Sequence, residues 1–314
     1  MTGIVTLTLN PAVDLACSTE SVRPTNKIRT YDEHIDAGGG GINVARVLHA
    51  LGADVFAVIL AGGVTGALIE ELLAQEAVPF QTVRCQGRSR ISFTVLDQTT
   101  QQEYRFVPSG PIAETRDCAE ILALLDRISC DWVVASGSLE PGMPLDFYAT
   151  IAALVRRRGI RFALDTSGAP LRAALDGGVD FVKPSLNELE AYAGRALLDP
   201  LEQGNEAMGI VRSGRAAMVA VTLGEEGAFL ATAEGVIRMP AIPVPFLGAV
   251  GAGDSFMAGM IWALSRGLSN RDALGWAIAT GSAAVARTGT ARVRLEDVEE
   301  WHALLPIRRS ERIG

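Results

Sequence analysis

The sequence predicts an α/β fold in which helices cover both faces of a mostly parallel sheet, with a small second sheet outside it. Three observations carry this. Short apolar runs alternate with longer helix-patterned stretches, as expected of strands buried on both faces. The runs stop at polar or glycine residues: Asn10, Gly62, Ser136, Asp165, Lys183 and Thr222. Ligands of open α/β sheets bind outside the carboxyl ends of strands, so these residues are expected to line one crevice. The third observation is a break in the alternation over residues 90–107.

In order along the chain, Ile4 to Leu9 is a β-rich run ended by Asn10-Pro11. Gly38 to Gly41 precede a helix pattern from Asn43 to Leu51, closed by Gly52. Val55 to Ala61 reads as a strand, followed by Gly62-Gly63 and a helix reaching Ala77. Trp132 to Ala135 is a strand before a Ser-Gly turn and a helix around Asp146 to Arg158. Arg161 to Asp165, Phe181-Val182 and Met218 to Leu223 are further strands, and Ser255 to Leu264 is an apolar helix. Over 90–107 the pattern is a β-hairpin turning at Gln98 to Gln101. Pairing Asp97 with Gln102 puts Arg90, Ser92, Thr94, Glu103 and Arg105 on one face. Ile91, Phe93, Val95, Tyr104 and Phe106 take the other. Strand-like stretches near Val13–Ser18 and Lys27–Ile35 can join it, forming a small sheet from about 12–36 and 88–108 within one domain of residues 1–314. Its apolar face needs cover, either from the chain's own helices or from a second copy, which would make a two-fold homodimer.

Composition narrows the function. A chain of 314 residues, 48% hydrophobic and 20% charged, has an ordinary globular balance. The net charge of −8 argues against a nucleic-acid surface, which needs a clustered positive field, yet leaves an anionic small substrate open. Four cysteines without CxxC spacing and three histidines argue against a transition-metal site and fit reduced thiols. With no signal-peptide pattern and no apolar run near the roughly 20 residues of a membrane span, a cytoplasmic chain without a membrane partner is expected.

The chemistry-bearing residues follow. Val250-Gly251-Ala252-Gly253-Asp254 runs straight into the helix of residues 255–264. Small residues there let backbone amides converge at a helix start, where the dipole favours an anion. A carboxylate beside such an anion hole suits phosphoryl transfer, with Asp254 taking a hydroxyl proton and Gly251, Ala252 and Gly253 holding the migrating phosphate. The same residues also fit a plain helix start. A carboxylate on a helix dipole is expected to be a weak base. The stretch from Gly38 to Asn43 fits no G-x-G-x-x-G register, so a dinucleotide is not implied; Asn43 either meets ligand hydroxyls or caps the helix. Asp14 can accept from two sugar hydroxyls, or be an edge-strand charge. Lys27, Arg90 and Arg105 offer donors to a phosphate. Lys183 and Glu188 can meet a nucleotide phosphate and its Mg²⁺, while Ser185 with Glu188 is also an S-x-x-E capping box. Thr222 to Gly227 is a phosphate-suited loop or a simple hairpin turn.

Together these segments resemble the ribokinase or PfkB family of carbohydrate kinases across nearly the whole chain. Two signatures carry the likeness, AGGGGINVARVLHALG at 37–52 and AVGAGDSFMAGMI at 249–261. The strings TLTLNPAVD (6–14), KIR (27–29), AGGVTG (61–66), YRFVPSG (104–110), ASGSLEPG (135–142) and VKPSLNEL (182–189) resemble the family's bacterial hexose-phosphate kinases. The resemblance implies a three-layer α/β/α ribokinase-like domain with a β-lid that pairs with a second subunit's lid. It implies Asp254 as general base and Gly251 to Gly253 as anion hole. Asp14, Gly39, Asn43 and Ser138 would contact the sugar, and Lys27, Arg90 and Arg105 its phosphate. Lys183, Ser185, Thr222, Gly224, Gly227 and Ser282 would contact ATP, with Glu188 organising Mg²⁺. Val250, Ala284 and Gly289 resemble a monovalent-cation site, for K⁺, of some relatives. Relatives acting on fructose 1-phosphate or tagatose 6-phosphate often read GGKG where this chain reads GGGG, so fructose 6-phosphate is the expected substrate. Ser185 replaces a family Asn, Ala249 a Thr and Arg287 an Asn; the last two weaken the cation site on paper. A non-catalytic sugar-phosphate sensor and a kinase for unphosphorylated sugars or nucleosides are the rival readings.

Overall fold

A strand buried on both faces has to be apolar throughout, and the runs that meet this condition assemble into one nine-stranded sheet. The computed structural model describes residues 3–305 apart from 249 and 288. Its first elements are β1 (Ile4–Thr8), β2 (Ala12–Thr19), β3 (Tyr31–Gly38), α1 (Gly40–Ala50), β4 (Val55–Ala61), α2 (Gly63–Gln75) and β5 (Phe80–Arg84). Next come β6 (Arg90–Asp97), β7 (Gln102–Phe106), α3 (Thr115–Leu125), β8 (Trp132–Ser136), α4 (Phe147–Arg157), β9 (Arg161–Asp165) and α5 (Gly168–Gly177). Then follow β10 (Val179–Val182), α6 (Leu186–Ala193), α7 (Pro200–Arg212), β11 (Ala216–Thr222), β12 (Ala228–Thr232) and β13 (Gly235–Met239). The last are α8 (Ala252–Ser265), α9 (Asn270–Val285) and α10 (Leu295–Ala303).

The large sheet has the order β13-β12-β11-β10-β9-β8-β1-β4-β5. It is parallel from β11 to β5, and β12 and β13 add an antiparallel edge. Helices α1, α2, α8, α9 and α10 pack on one face, where Ile42, Ile69, Met257 and Val298 are buried. Helices α3 to α7 cover the other through residues such as Ile121, Ile151 and Leu189. The three-layer expectation is thus met. β1 pairs with β4 on one side and β8 on the other, so the crevice opens at this reversal of strand order.

Two local readings change. Gly39, not Asn43, caps α1, so Asn43 lies inside the first turn and its side chain is free for other work. The Thr222–Gly227 loop is a hairpin turn: a one-turn 3-10 helix, Gly224–Glu226, joins β11 to β12.

The second sheet has the order β3-β2-β6-β7, with β2 and β6 parallel. The expected pairing of Asp97 with Gln102 is present. The Asp97 carboxylate accepts from the amides of Val22 (2.8 Å), Thr99 (2.9 Å) and Thr100 (3.0 Å), which holds this turn. Ile35, Leu15, Phe93 and Phe106 form one cross-strand row over all four strands. Near the root of this face Val13 and Ala37 join the main core. Farther out, Ile35, Ile91 and Phe106 are 46%, 47% and 58% exposed, so the chain's own helices do not cover them.

Candidate active site

Helix α8 begins at the crevice. Gly251, its N-cap, has φ +81°, and a Cβ there would stand 2.7 Å from Ala291 Cβ, so backbone and packing both require glycine. The first helical bond runs from Ser255 N to Gly251 O (2.8 Å). The amides of Ala252, Gly253 and Asp254 precede it, which leaves three donors converging at the positive end of a helix dipole. Two pockets meet there. A polar cleft of ≈ 290 Å³ is lined by Gly40, Ser136, Ser138, Asp165, Glu188 and Asp254. A larger, mainly apolar pocket of ≈ 790 Å³ includes Thr222, Gly224, Gly227 and Ser282, and shares Ala252 and Gly253 with the helix start.

Both oxygens of Asp254 are held. Ser136 Oγ donates to Oδ1 (3.0 Å) and Asn43 Nδ2 to Oδ2 (2.9 Å). Gly40 makes the first of these bonds possible, since a Cβ at that position would land on Ser136 Oγ. The expectation of a weak base does not hold. Burial, with the nearby Asp165 charge, raises the Asp254 carboxyl to about 6, outweighing the helix dipole and the opposing pull of Asn43, Lys183 and Ser136. A carboxylate so placed can take a proton near neutral pH while the amides beside it hold an anion.

The matching family model, pfkB family carbohydrate kinase, covers residues 5–297. The chain belongs to the pfkB family of carbohydrate kinases. It is 41% identical over 304 residues to the ATP-dependent 6-phosphofructokinase isozyme 2 of Mycobacterium tuberculosis, covering 96% of this chain and 89% of the relative. It is 36% identical to the 1-phosphofructokinase of Rhodobacter capsulatus over 84% of each chain. Crystal structures of phosphofructokinase-2 from Escherichia coli superpose at 35% identity and cover 99% of that protein. The one in complex with fructose-6-phosphate gives a TM-score of 0.91 over 97% of this chain, and the one with potassium 0.92 over 96%. Membership makes this chain a phosphotransferase that acts on a sugar hydroxyl.

The other expected site residues of this kinase fall into place unevenly. Lys183 is buried, and its Nζ pairs with Asp165 Oδ2 at 3.0 Å. A Cβ on Gly253 would stand 3.4 Å from that ammonium, so Lys183 also lies against the start of α8. Ser185 departs from expectation. Its amide and hydroxyl donate to Glu188 Oε2 (2.7 and 2.9 Å), and its Oγ accepts from Glu188 N (3.3 Å). The capping box therefore spends this hydroxyl on fixing Glu188, not on a ligand. Asp14 lies against Gly38, and burial raises its carboxyl above the usual range despite Arg105 and Arg90. Arg90 is partly committed: its Nη atoms donate to the carbonyls of Asn10 (2.8 Å) and Pro108 (3.0 Å) and so tie the small sheet to the end of β1, while its Nε has no partner among the described residues. Arg105 shares the Asp14 face and stays exposed. Ser138 Oγ accepts from Asn10 Nδ2 (3.2 Å), and Gly39 N-caps α1. Lys27 stands apart, exposed in the loop before β3 and without an ion pair among the described residues.

At the expected cation loop, Val250 O accepts from Ala291 N (3.4 Å) and Ala284 O from Arg287 N (3.3 Å), with Gly289 between those segments. The Arg287 guanidinium is held by Asp297 of α10 (2.6 Å), which accounts for the arginine. Ala249 lies outside the described residues. Sequence reasoning placed Ser136 at the crevice but not as a partner of Asp254, and it missed Arg46, whose signal was a lone arginine in an otherwise apolar helical stripe. Among the described residues no helix is long and apolar enough to cross a membrane.

Proposed function

We propose that the protein is an ATP-dependent 6-phosphofructokinase that transfers the γ-phosphoryl group of ATP to the 1-hydroxyl of fructose 6-phosphate. The observation that carries this is the start of α8, where the Asp254 carboxyl and three amides without a backbone partner among the described residues stand at the meeting of a polar and an apolar pocket. The polar cleft suits the sugar and the apolar pocket, with Phe246, Phe256 and Ile278, suits a purine. Asp254 accepts the hydroxyl proton as the nucleophile attacks, with Ser136 and Asn43 fixing its direction. The amides of Ala252, Gly253 and Asp254, with Lys183 beside them, stabilise charge on the transferring group. Asp14, Gly39, Asn43 and Ser138 hold the sugar hydroxyls, and Arg90, Arg105 and Lys27 its phosphate, once the small sheet closes as a lid. Thr222, Gly224, Gly227 and Ser282 bound the nucleotide. Mg²⁺ bound with ATP would neutralise phosphate charge, with Glu188 holding it through water. The carbonyls of Val250, Ala284 and Gly289 would hold K⁺, a reading supported by the potassium complex of the solved relative. The uncovered apolar row of the small sheet would pair with its copy in a second subunit, giving a homodimer.

The test is steady-state kinetics on fructose 6-phosphate, fructose 1-phosphate, tagatose 6-phosphate and fructose. The highest kcat/KM is expected on fructose 6-phosphate. A preference for fructose 1-phosphate would move the protein to the activity named for its 36% identical relative, and a preference for fructose would remove the phosphate roles of Arg90 and Arg105.

A further inference from the structure

Arg46 projects from α1 and is 7% exposed. A buried guanidinium persists only where its donors are satisfied, and this one reaches a partner on its own helix and three other segments. Its Nη1 donates to Asn43 Oδ1 (2.8 Å) and to Thr290 O (3.3 Å), its Nη2 to Ala37 O (2.7 Å), and its Nε to Glu76 Oε2 (2.8 Å). Each partner adjoins a different part of the site. Asn43 holds Asp254 through the other end of the same amide. Thr290 precedes Ala291, the residue on which Gly251 rests. Ala37 precedes Gly38, against which the Asp14 carboxylate lies. Glu76 Oε1 meets Arg292 Nη2 (3.5 Å), and the same nitrogen donates to Asp36 Oδ1 (2.7 Å) on β3, opposite Asp14.

We propose that Arg46 is a positioning residue that locks the Asn43 amide onto Asp254 and couples that alignment to the root of the small sheet. An amide has two faces, one donating and one accepting. Only the orientation in which Oδ1 meets the guanidinium turns Nδ2 toward the carboxylate. Without Arg46 nothing holds the accepting end of the amide, so Nδ2 can swing away from Asp254 and the carboxylate loses one of its two donors. The Asp36–Arg292–Glu76–Arg46 chain then makes the orientation depend on where β3 stands. The bridge at Arg292 is half-exposed and contributes least; the Arg46–Asn43 contact is buried and sets the effect.

This inference rests on Asp254 as the base, and the experiment separates the two. With the purified full chain and saturating ATP and fructose 6-phosphate, Arg46→Met is expected to lower kcat on the order of tenfold or more while KM for ATP stays within about twofold. In the Asn43→Ala background the same substitution should change kcat by no more than about twofold, because the amide through which it acts on the base is already gone. Equal losses in both backgrounds would overturn the proposal and leave Arg46 a general packing residue. Should the Met variant not fold, Glu76→Ala at the accessible end of α2 carries the same cycle, with a smaller loss expected alone and none on Asn43→Ala; additive losses there overturn it equally. Asp254→Asn run in parallel distinguishes the failures. If that chain turns over at a rate close to the unaltered one, the base reading is wrong; if its kcat falls about 10³-fold and the cycle is additive, only the coupling is.

Discussion

Every residue of β1, β8 and β12 is buried, whereas β3 is exposed from Tyr31 to Ile35 and β7 is exposed at every position except Tyr104. A strand closed on both faces can present chemistry only beyond its end, and Ser136, Asp165 and Lys183 stand at such ends. A sheet with open faces presents side chains sideways: Asp14, Arg90 and Arg105 from one face, the Ile35–Phe106 row from the other. The difference assigns work. Groups that must hold sub-ångström geometry belong on the densely packed sheet, while capture of a mobile substrate suits the sheet with fewer packed contacts. On the proposed function, turnover should follow the large sheet and substrate affinity the small one.

The largest effect is expected at Asp254. Asp254→Asn should lower kcat by about 10³-fold, with calorimetric binding of fructose 6-phosphate retained. The pH profile of the unaltered chain supplies the sign. Below about 6 the Asp254 carboxyl of the free chain is protonated and cannot accept the hydroxyl proton, so kcat/KM should fall on the acid side of that value and level off above it. A limb near pH 4 would mean that the carboxyl is not desolvated as its burial implies. Next comes Gly40→Ala. The added Cβ must displace Ser136 Oγ and with it the bond to Asp254, so a drop in kcat on the order of tenfold is expected with ATP affinity kept. Unchanged kcat would show that Ser136 does not direct the base.

The small sheet should respond differently on its two faces. Arg105→Ala is expected to raise KM for fructose 6-phosphate about tenfold with kcat nearly intact, since an exposed charge-assisted contact is lost without disturbing a strand end. A kcat loss as deep as that of Asp254→Asn would break the division between the sheets. Phe106→Asp alters only the apolar row and should shift sedimentation from dimer toward monomer; an unchanged profile would place the subunit contact elsewhere.

How much of this was legible in the sequence depended on whether the signal was local. β4 and β9 were read to the residue because an apolar run bounded by turns needs no partner to be recognised. In the small sheet β6 and β7 were legible from period-two alternation, whereas the stretch read near Lys27–Ile35 forms its strand later, at Tyr31–Gly38. The β12–β13 hairpin was missed although Gly235 marks its turn, because Ala228 to Ala231 is apolar throughout and fits a buried helix segment equally well. At the site, Asp254 and Asn43 were legible as separate residues, yet 211 positions separate them and no local pattern announces their hydrogen bond. The elevated carboxyl was misjudged for the same reason. A helix dipole can be read from the chain, whereas desolvation and the Asp165 charge exist only after β9 and α8 meet.

The smallest effect on activity is expected at the seam between the two regions. Glu140 follows β8, is 2% exposed, and its Oε2 has no hydrogen-bond partner among the described residues. Desolvation, reinforced by Asp117 of α3 and opposed by Arg90 of the small sheet, raises its carboxyl to about 8 from an ordinary value of 4.5. Between those values the folded chain keeps a proton that the unfolded chain has released. Stability therefore falls as pH rises through that window and levels off above it. Glu140→Gln replaces the neutral acid with a group that does not titrate. Its melting temperature should decline less steeply between pH 5 and 8 than that of the unaltered chain, by about 2 °C for each kcal/mol recovered, with kcat at pH 7 unchanged. Parallel slopes would mean that Glu140 is ionised in the folded chain and that Arg90, not burial, decides its charge.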